Sequence, residues 1–282
     1  MARLRSRYNR QLLWLRRRLT PGEYLGLHLT LGLLAAAGCL WIFGRLAEDV
    51  LSNDPRVSVD QAAATAIYGL MTPALTTFFL VVTTLGSMEA IALVSLVSAV
   101  VFGTWRRWLL FEPWVIAAGG SVVLILLLKV LFARPRPYFK QPLLLETYYS
   151  FPSGHAMEAV AVYGMLAYFA VLALRTWRAR AAVVFGTSLL VLLIGFSRMY
   201  LGVHYLSDVV AGFAAGGVWL SICITTMEFI RRGAQRQGSR RAYQKREAKV
   251  SLLLSQGWSR GPHLWDQMPV NSEGQSWRQR AF

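Results

Sequence analysis

Long apolar runs dominate this sequence and limit what it can fold into. A helix needs about 20 mostly apolar residues to cross a bilayer, and several runs approach or reach that length. Inside lipid the backbone must satisfy its own hydrogen bonds, so a chain with several such runs folds as a helical bundle. The runs are 24–46, 59–86, 88–105, 112–132, 155–174, 181–197 and 207–230. The sequence therefore predicts an all-α, polytopic membrane protein.

The basic charge of the chain is concentrated at its two ends. Hydrophobic residues make up 55% of the chain, and the mean hydropathy is +0.41, too apolar for an ordinary soluble domain. The formal net charge is +16, yet residues 1–20 carry seven Arg and no acid, and residues 231–282 carry eleven Lys or Arg against three acids. The remaining body is nearly neutral. This distribution follows the positive-inside rule, so we expect no nucleic-acid partner.

The positions of the cations also predict the topology. Basic residues at 106–107 and 175–180 should share the cytoplasmic side with both tails. That is possible only if the stretch 59–86, which contains Pro73 and several threonines, enters and leaves on the outer side. The prediction is six transmembrane helices plus an interfacial or re-entrant helix at about 59–86, with both termini cytoplasmic.

The predicted topology divides the chain into three parts. Residues 1–23 form a basic cytoplasmic segment, 24–230 a transmembrane domain, and 231–282 a basic cytoplasmic tail that we expect to be disordered or interfacial. Cys39 and Cys223 both lie in apolar runs, so no disulfide framework is implied. The sequence carries no signal for an oligomeric state.

A polar stretch between the last two apolar runs, SRMYLGVHYLSDVVAG at 197–212, contains Arg198, His204 and Asp208. A carboxylate four residues after a histidine can orient the imidazole and leave its second nitrogen free. Beside an arginine, such a histidine is suited to attack phosphorus. The alternative is a loop histidine satisfied by a nearby acid, with Arg198 as an interfacial anchor.

A second group of polar residues lies at 129–140, KVLFARPRPYFK, on the predicted outer side. Its cations are Lys129, Arg134, Arg136 and Lys140. Cations are depleted on that side, so a bound anion explains the cluster better than membrane orientation does. Lys129 alone could be a snorkelling lysine at a helix end. Pro135 and Pro137 stop the helix and hold Arg136 in an extended segment.

The third group, Pro152-Ser153-Gly154-His155, precedes an apolar helix. Ser153 is a natural N-cap, Gly154 permits close approach of a ligand, and the helix N-terminus favours an anion. His155 could protonate a leaving oxygen; the alternative is a capped helix start with an interfacial histidine. Glu158, one turn further, either bonds His155 or pairs with a cation from another helix.

Together the three groups resemble the type 2 phosphatidic acid phosphatase superfamily, in its membrane-bound lipid phosphatase branch. The matching residues are Lys129 and, after six residues, Arg136-Pro137; then Pro152-Ser153-Gly154-His155; then Ser197-Arg198, His204 after five residues and Asp208 after three more. Identity, spacing and order all agree. The resemblance covers residues 129–208.

This resemblance implies a metal-independent phosphatase with no cofactor. The phosphate would be held by Lys129, Arg136 and Arg198 with the backbone of Ser153 and Gly154. His204 would form a phosphohistidine, Asp208 would orient it, and His155 would be the acid to the leaving group. Glu158 and Arg134 lie outside the motif pattern and are candidates for accessory roles.

The predicted function is hydrolysis of a lipid phosphate or diphosphate at the outer face of the membrane, with the lipid tail in the bilayer. Candidate substrates are polyprenyl diphosphate, phosphatidylglycerophosphate, phosphatidate and lipid A-type phosphates. A non-hydrolytic lipid-phosphate or anion transporter is the main alternative. A metal site is disfavoured because the cations would repel a divalent ion, and a haloperoxidase is disfavoured by the six spans. The expected location is a bacterial inner membrane.

Overall fold

A computed structural model describes residues 24–52, 57–137 and 148–255, and over these residues all regular structure is helical. The all-α prediction is confirmed there. The basic segment 1–23, Lys140 and the end of the tail lie outside the described residues. The helices are α1 (Tyr24–Leu51), α2 (Val57–Tyr68), α3 (Pro73–Thr84), α4 (Met88–Thr104), α5 (Trp108–Phe132), α6 (Gly154–Ala173), α7 (Trp177–Tyr200) and α8 (Leu206–Ser255).

Local sequence signals account for several helix boundaries. Thr72, Ser87 and Thr176 stand immediately before α3, α4 and α7, and each side chain accepts a hydrogen bond from a backbone N–H of the first turn. Helix α5 ends at Ala133, which has a left-handed φ of 43° and precedes the Arg-Pro-Arg-Pro segment. The predicted stop before Pro135 is thus where the helix ends.

Among the residues that the structure describes, four helices are long and apolar enough to span a membrane. They are Leu110–Phe132, Gly154–Ala173, Trp177–Tyr200 and Leu206–Arg231, within α5, α6, α7 and α8. A fifth span results if α3 and α4, which are bent by 42° at a short break, are counted together. The described residues therefore support an integral membrane protein with four or five spans, and the predicted number of six is not confirmed.

The stretch 59–86 differs from its prediction. We expected one interfacial or re-entrant helix, but the structure contains two, α2 and α3, separated near Gly69 to Thr72. Pro73 cannot donate a hydrogen bond to an existing helix and is favoured at the first helical position, so a new helix begins there. Tyr200 on α7 holds this break in place, because its hydroxyl accepts a hydrogen bond from Thr72 N at 3.1 Å.

The last helix extends beyond its membrane span. The apolar run was predicted to end at 230, and the candidate span ends at Arg231, but α8 continues to Ser255, into the tail that we expected to be disordered or interfacial. Residues 233–255 are rich in Arg, Ala, Gln and Leu and contain no proline, a composition with good helix propensity. The chain forms two compact units, residues 1–229 and 230–282, and the described part of the second unit is helical.

Helix α6 is the most buried helix around the site, and glycines let α8 pack directly on its backbone. A Cβ added at Gly212 would lie 2.6 Å from the carbonyl oxygen of Ser153, and one at Gly216 would lie 2.6 Å from that of Met157. Small residues four apart are a known way to bring membrane helices together. The Gly212–Gly216 pair therefore sets the separation between the helix that carries His155 and the helix that carries Asp208.

Replacing Gly216 with alanine is expected to destabilise the fold by about 1–3 kcal/mol, because the added methyl group must push α8 away from α6. Gly186→Ala on α7 is the matched control, since nothing lies within 4 Å of its added Cβ. The measurement is the unfolding midpoint of each variant in detergent. Equal midpoints for the two variants would show that α6 and α8 are not in close contact.

Candidate active site

The three predicted polar groups meet at one end of the bundle. The first follows the end of α5, the second precedes α6, and the third joins α7 to α8. Helix polarity puts these ends opposite the basic residues at 106–107, which precede α5, and at 175–180, which lie at the start of α7. The groups are tied together by backbone contacts: Ser150 N donates to Arg134 O at 2.8 Å and Ser153 N to Asp208 O at 2.9 Å.

His204 lies at the centre of this arrangement and is only 2% exposed. Its Nε2 is 3.3 Å from Arg136 Nη1, and its Nδ1 is 3.4 Å from Asp208 Oδ2. Asp208 only accepts and Arg136 only donates, so the tautomer with the proton on Nδ1 is favoured, and the Nε2 lone pair faces Arg136. Burial lowers the pKa of His204 to about 4, although Asp208 opposes the shift. The imidazole is therefore neutral at pH 7, as a nucleophile requires.

Asp208 is completely buried and held by several donors. Arg134 Nη1 donates to its Oδ1 at 2.5 Å, while Ser150 Oγ and Tyr205 N donate to its Oδ2, the latter at 2.9 Å. The loop that contains His204 immediately precedes α8, so His204 and Asp208 are paired across the start of a helix. This set of donors fixes the carboxylate that faces the imidazole.

The predicted phosphate-binding cations surround His204 and are anchored to the protein. Arg136 donates to Tyr148 O at 2.6 Å and Val203 O at 2.8 Å, and Lys129 Nζ donates to Tyr149 O at 2.7 Å. Arg198 is 2% exposed, and its Nη1 donates to Thr83 Oγ1 at 2.9 Å. Each of these three side chains is thus anchored by at least one neutral oxygen of the protein.

The start of α6 supplies further donors, although not quite as predicted. Ser153 occupies the N-cap position, but its side chain makes no capping hydrogen bond, and its backbone N–H is used by Asp208 O. Its buried hydroxyl has no hydrogen-bond partner among the described residues. Gly154 N belongs to the first turn, where N–H groups lack intrahelical acceptors. A Cβ at Gly154 would lie 3.8 Å from Lys129 Cε, so the start of α6 is close to the lysine.

His155 and Glu158 are on α6, one turn apart. His155 packs against the turn between α3 and α4, because a Cβ added at Gly86 would lie 3.2 Å from His155 Cδ2. Glu158 is 3% exposed and interacts electrostatically with Lys129 on α5. Among the described residues no hydrogen bond joins Glu158 to His155.

Comparison with known proteins extends this likeness beyond the motifs. A family model described as the PAP2 superfamily matches residues 108–232. Phosphatidylglycerophosphatase B of Bacillus subtilis (strain 168) is 32% identical over 182 residues, which cover 63% of this chain and 87% of that protein. This chain belongs to the PAP2 superfamily.

Two further comparisons agree with the PAP2 assignment. The crystal structure of a transmembrane PAP2-type phosphatidylglycerolphosphate phosphatase from Bacillus subtilis is 31% identical in sequence, with a TM-score of 0.61, covering 69% of this chain and 96% of that chain. Lipid phosphate phosphatase delta of Arabidopsis thaliana is 35% identical over 89 residues, 29% of this chain and 21% of that protein. PAP2 membership makes the chain a membrane phosphoric ester hydrolase with a lipid substrate.

Three residues of this PAP2 site were not found by sequence reasoning. Ser150 bonds Asp208, Thr83 bonds Arg198, and Asp60 on α2 forms an ion pair with Arg134 at 2.9 Å. Thr83 and Asp60 precede the matched region 108–232. Nothing in the sequence marks Ser150 or Thr83 as part of the site. Asp60 does carry a sequence signal, because a carboxylate at the edge of an apolar run is costly unless it is paired.

Proposed function

We propose that this protein hydrolyses the phosphomonoester or diphosphate of a membrane lipid through a phosphohistidine at His204. The main support for this proposal is the environment of the His204 imidazole. It is buried and neutral, and one ring nitrogen faces Asp208 while the other faces Arg136. An unprotonated nitrogen next to cationic donors is arranged to attack a bound phosphate.

In the proposed Michaelis complex, the phosphate oxygens lie among fixed positive charges and N–H or O–H donors. The groups are Lys129, Arg136, Arg198, the Ser153 hydroxyl and Gly154 N. Such donors are already oriented, so little reorganisation is needed as charge builds up on the equatorial oxygens. No metal is needed in this mechanism, because the three cations carry out the charge stabilisation.

The reaction then proceeds in two displacements. Nε2 of His204 attacks phosphorus, the bond from phosphorus to the lipid oxygen breaks, and His155 donates a proton to that oxygen. The phosphorylated imidazole is cationic, and Asp208 stabilises it by accepting from Nδ1–H. His155, now unprotonated, takes a proton from water, the water oxygen attacks phosphorus, and the N–P bond breaks to release phosphate and regenerate neutral His204.

The proposed substrate enters from the outer leaflet. If α1 and the bent pair α3–α4 each cross once, the spans number six, both termini are cytoplasmic, and the site end of α5 to α8 faces the outer side. This keeps residues 106–107 and 175–180 in the cytoplasm, as the positive-inside rule requires. A bacterial inner membrane is the proposed location, with the active site facing the periplasm. The names of the Bacillus relatives make phosphatidylglycerophosphate the first lipid to test.

We expect EDTA-treated protein in mixed micelles to release phosphate from at least one lipid phosphate. The panel should contain phosphatidylglycerophosphate, phosphatidate, polyprenyl diphosphate and a lipid A-type phosphate, with His204→Ala as the control. The fastest lipid identifies the substrate class. If folded protein releases no phosphate from any of them, or releases it only when a divalent metal is restored, the proposal is wrong in its reaction or in its metal independence.

A further inference from the structure

Asp60, on α2, is a buried carboxylate outside the three motifs. It is 5% exposed, and its Oδ2 pairs with Arg134 Nη2 at 2.9 Å. The same guanidinium reaches Asp208 through Nη1 at 2.5 Å. Arg134 is 7% exposed and also lies over the ring of Tyr205, 4.4 Å from its centroid. One buried arginine thus connects a carboxylate on α2 to the carboxylate that faces His204.

Asp60 also holds the beginning of α8. Its Oδ1 accepts from Ser207 N at 3.0 Å, and its Oδ2 accepts from Ser207 Oγ. Ser207 N belongs to the first turn of α8, whose N–H groups have no intrahelical acceptors, so Asp60 satisfies one of them from a different helix. Ser207 Oγ in turn accepts from Arg134 Nη1 at 2.8 Å. The next residue after Ser207 is Asp208.

Asp60 therefore acts on Asp208 by two routes, one through a guanidinium and one through the backbone. Apart from Arg134, the donors to Asp208 described above, Ser150 Oγ and Tyr205 N, both bond Oδ2. The position of Oδ1, and with it the rotation of the carboxylate relative to His204, depends on Arg134. An arginine held between two carboxylates has less freedom than one held by a single partner.

We propose that Asp60 is a positioning residue for the phosphatase reaction, which fixes Arg134 and the first turn of α8 so that Asp208 holds His204 in its nucleophilic tautomer. The expected loss of catalytic rate rests on the proposed function. The expected change in the His204 tautomer does not depend on the substrate. Asp60 contacts no reacting atom. Its removal should therefore slow the chemical step and leave binding of the lipid largely intact.

The decisive variant is Asp60→Asn, which keeps the shape of the side chain and removes its charge. We expect kcat to fall about 10-fold to 100-fold with KM changed by less than about threefold, because the nucleophile is misoriented and the phosphate-binding cations are untouched. Glu48→Gln is the matched control. It removes one negative charge at the end of α1, where Glu48 forms an exposed ion pair with Arg45, and its kcat should stay within about twofold of the unmodified protein.

A second readout does not need turnover. In protein labelled with ¹⁵N-histidine, the ring nitrogens of His204, assigned by their loss in His204→Ala, report the tautomer directly. The unmodified protein should show one tautomer, with the proton on Nδ1, and Asp60→Asn should show a mixture of tautomers. If no lipid is hydrolysed even by the unmodified protein, the proposed function fails, while this comparison still decides the role of Asp60.

Ser207→Ala keeps the inference testable if Asp60→Asn does not fold. It leaves every charge paired and removes only the hydroxyl that links Asp60 and Arg134, so kcat should fall about threefold to tenfold with the fold intact. Unchanged kcat in the folded variants would overturn the inference. So would a fall in kcat with a single, unchanged His204 tautomer, because Asp60 would then act by a route other than Asp208.

Discussion

Replacing His204 with alanine or glutamine is expected to lower phosphate release by about 10⁴-fold or more, since the group that forms the covalent intermediate is gone. The alanine variant also opens a cavity at a position that is 2% exposed. His204→Gln therefore serves as the companion variant, because it fills more of that space but cannot carry a phosphoryl group on nitrogen. Both variants should retain the unfolding cooperativity of the unmodified protein.

The intermediate itself can be measured. With a lipid labelled with ³²P in its phosphate, rapid mixing followed by an alkaline quench should trap label on the unmodified protein, because an N–P bond is stable in base and labile in acid. Peptide mapping should place the label at His204, and neither His204 variant should become labelled. Label on another residue, or hydrolysis above one-hundredth of the normal rate in both variants, would contradict the assignment of His204 as the nucleophile.

Replacing Arg134 with methionine is expected to cost about 3–5 kcal/mol or more in stability, because two buried carboxylates lose their shared partner. Asp60 and Asp208 are 5% and 0% exposed, so water cannot replace the guanidinium. Burial alone would lower the pKa of Arg134, but Asp208 and Asp60 outweigh it and hold that pKa above its usual value. Activity should be lost together with stability.

Arg45→Met is the control for this prediction. Arg45 also forms an arginine–carboxylate ion pair, with Glu48 at 2.7 Å, but the side chains are 47% and 64% exposed. Such pairs contribute about 0.2–1 kcal/mol, so the variant should unfold close to the unmodified protein. The measurement is the free energy of unfolding by denaturant, followed by tryptophan fluorescence. An Arg134→Met variant as stable as Arg45→Met would show that the buried network contributes little to stability.

The helices and motifs were readable from the sequence because their signals are local. Apolar runs placed α5, α6 and α7 to within four residues at each end, and the proline after Ala133 marked the end of α5. The same reasoning failed at 59–86, where apolar content continues through a break that Thr72 and Pro73 impose. After Arg231 the apolar signal ends while the helix continues to Ser255, because Arg and Lys are good helix formers.

The motif pattern predicted which residues take part in the chemistry. It left alternative roles open for His204 and Lys129, and the contacts of these two side chains bear on both. His204 could have been a loop histidine satisfied by an acid, but its second nitrogen faces Arg136 within 3.3 Å. Lys129 could have been a snorkelling lysine, but its Nζ turns to Tyr149 O beside the start of α6. Ser153 occupies the predicted N-cap position of α6, but its hydroxyl makes no capping hydrogen bond.

The sequence by itself determined the membrane character of the chain, its helical class and the three motif groups, because each of these depends on composition or on spacing over a few residues. Only the tertiary structure decided what holds those groups. Asp60 meets Arg134 across 74 residues, Ser150 meets Asp208 across 58, and Thr83 meets Arg198 across 115. Contacts at such separations depend on how the helices pack, and packing follows from shape complementarity such as the Gly212–Gly216 contact with α6, which no single stretch of sequence specifies.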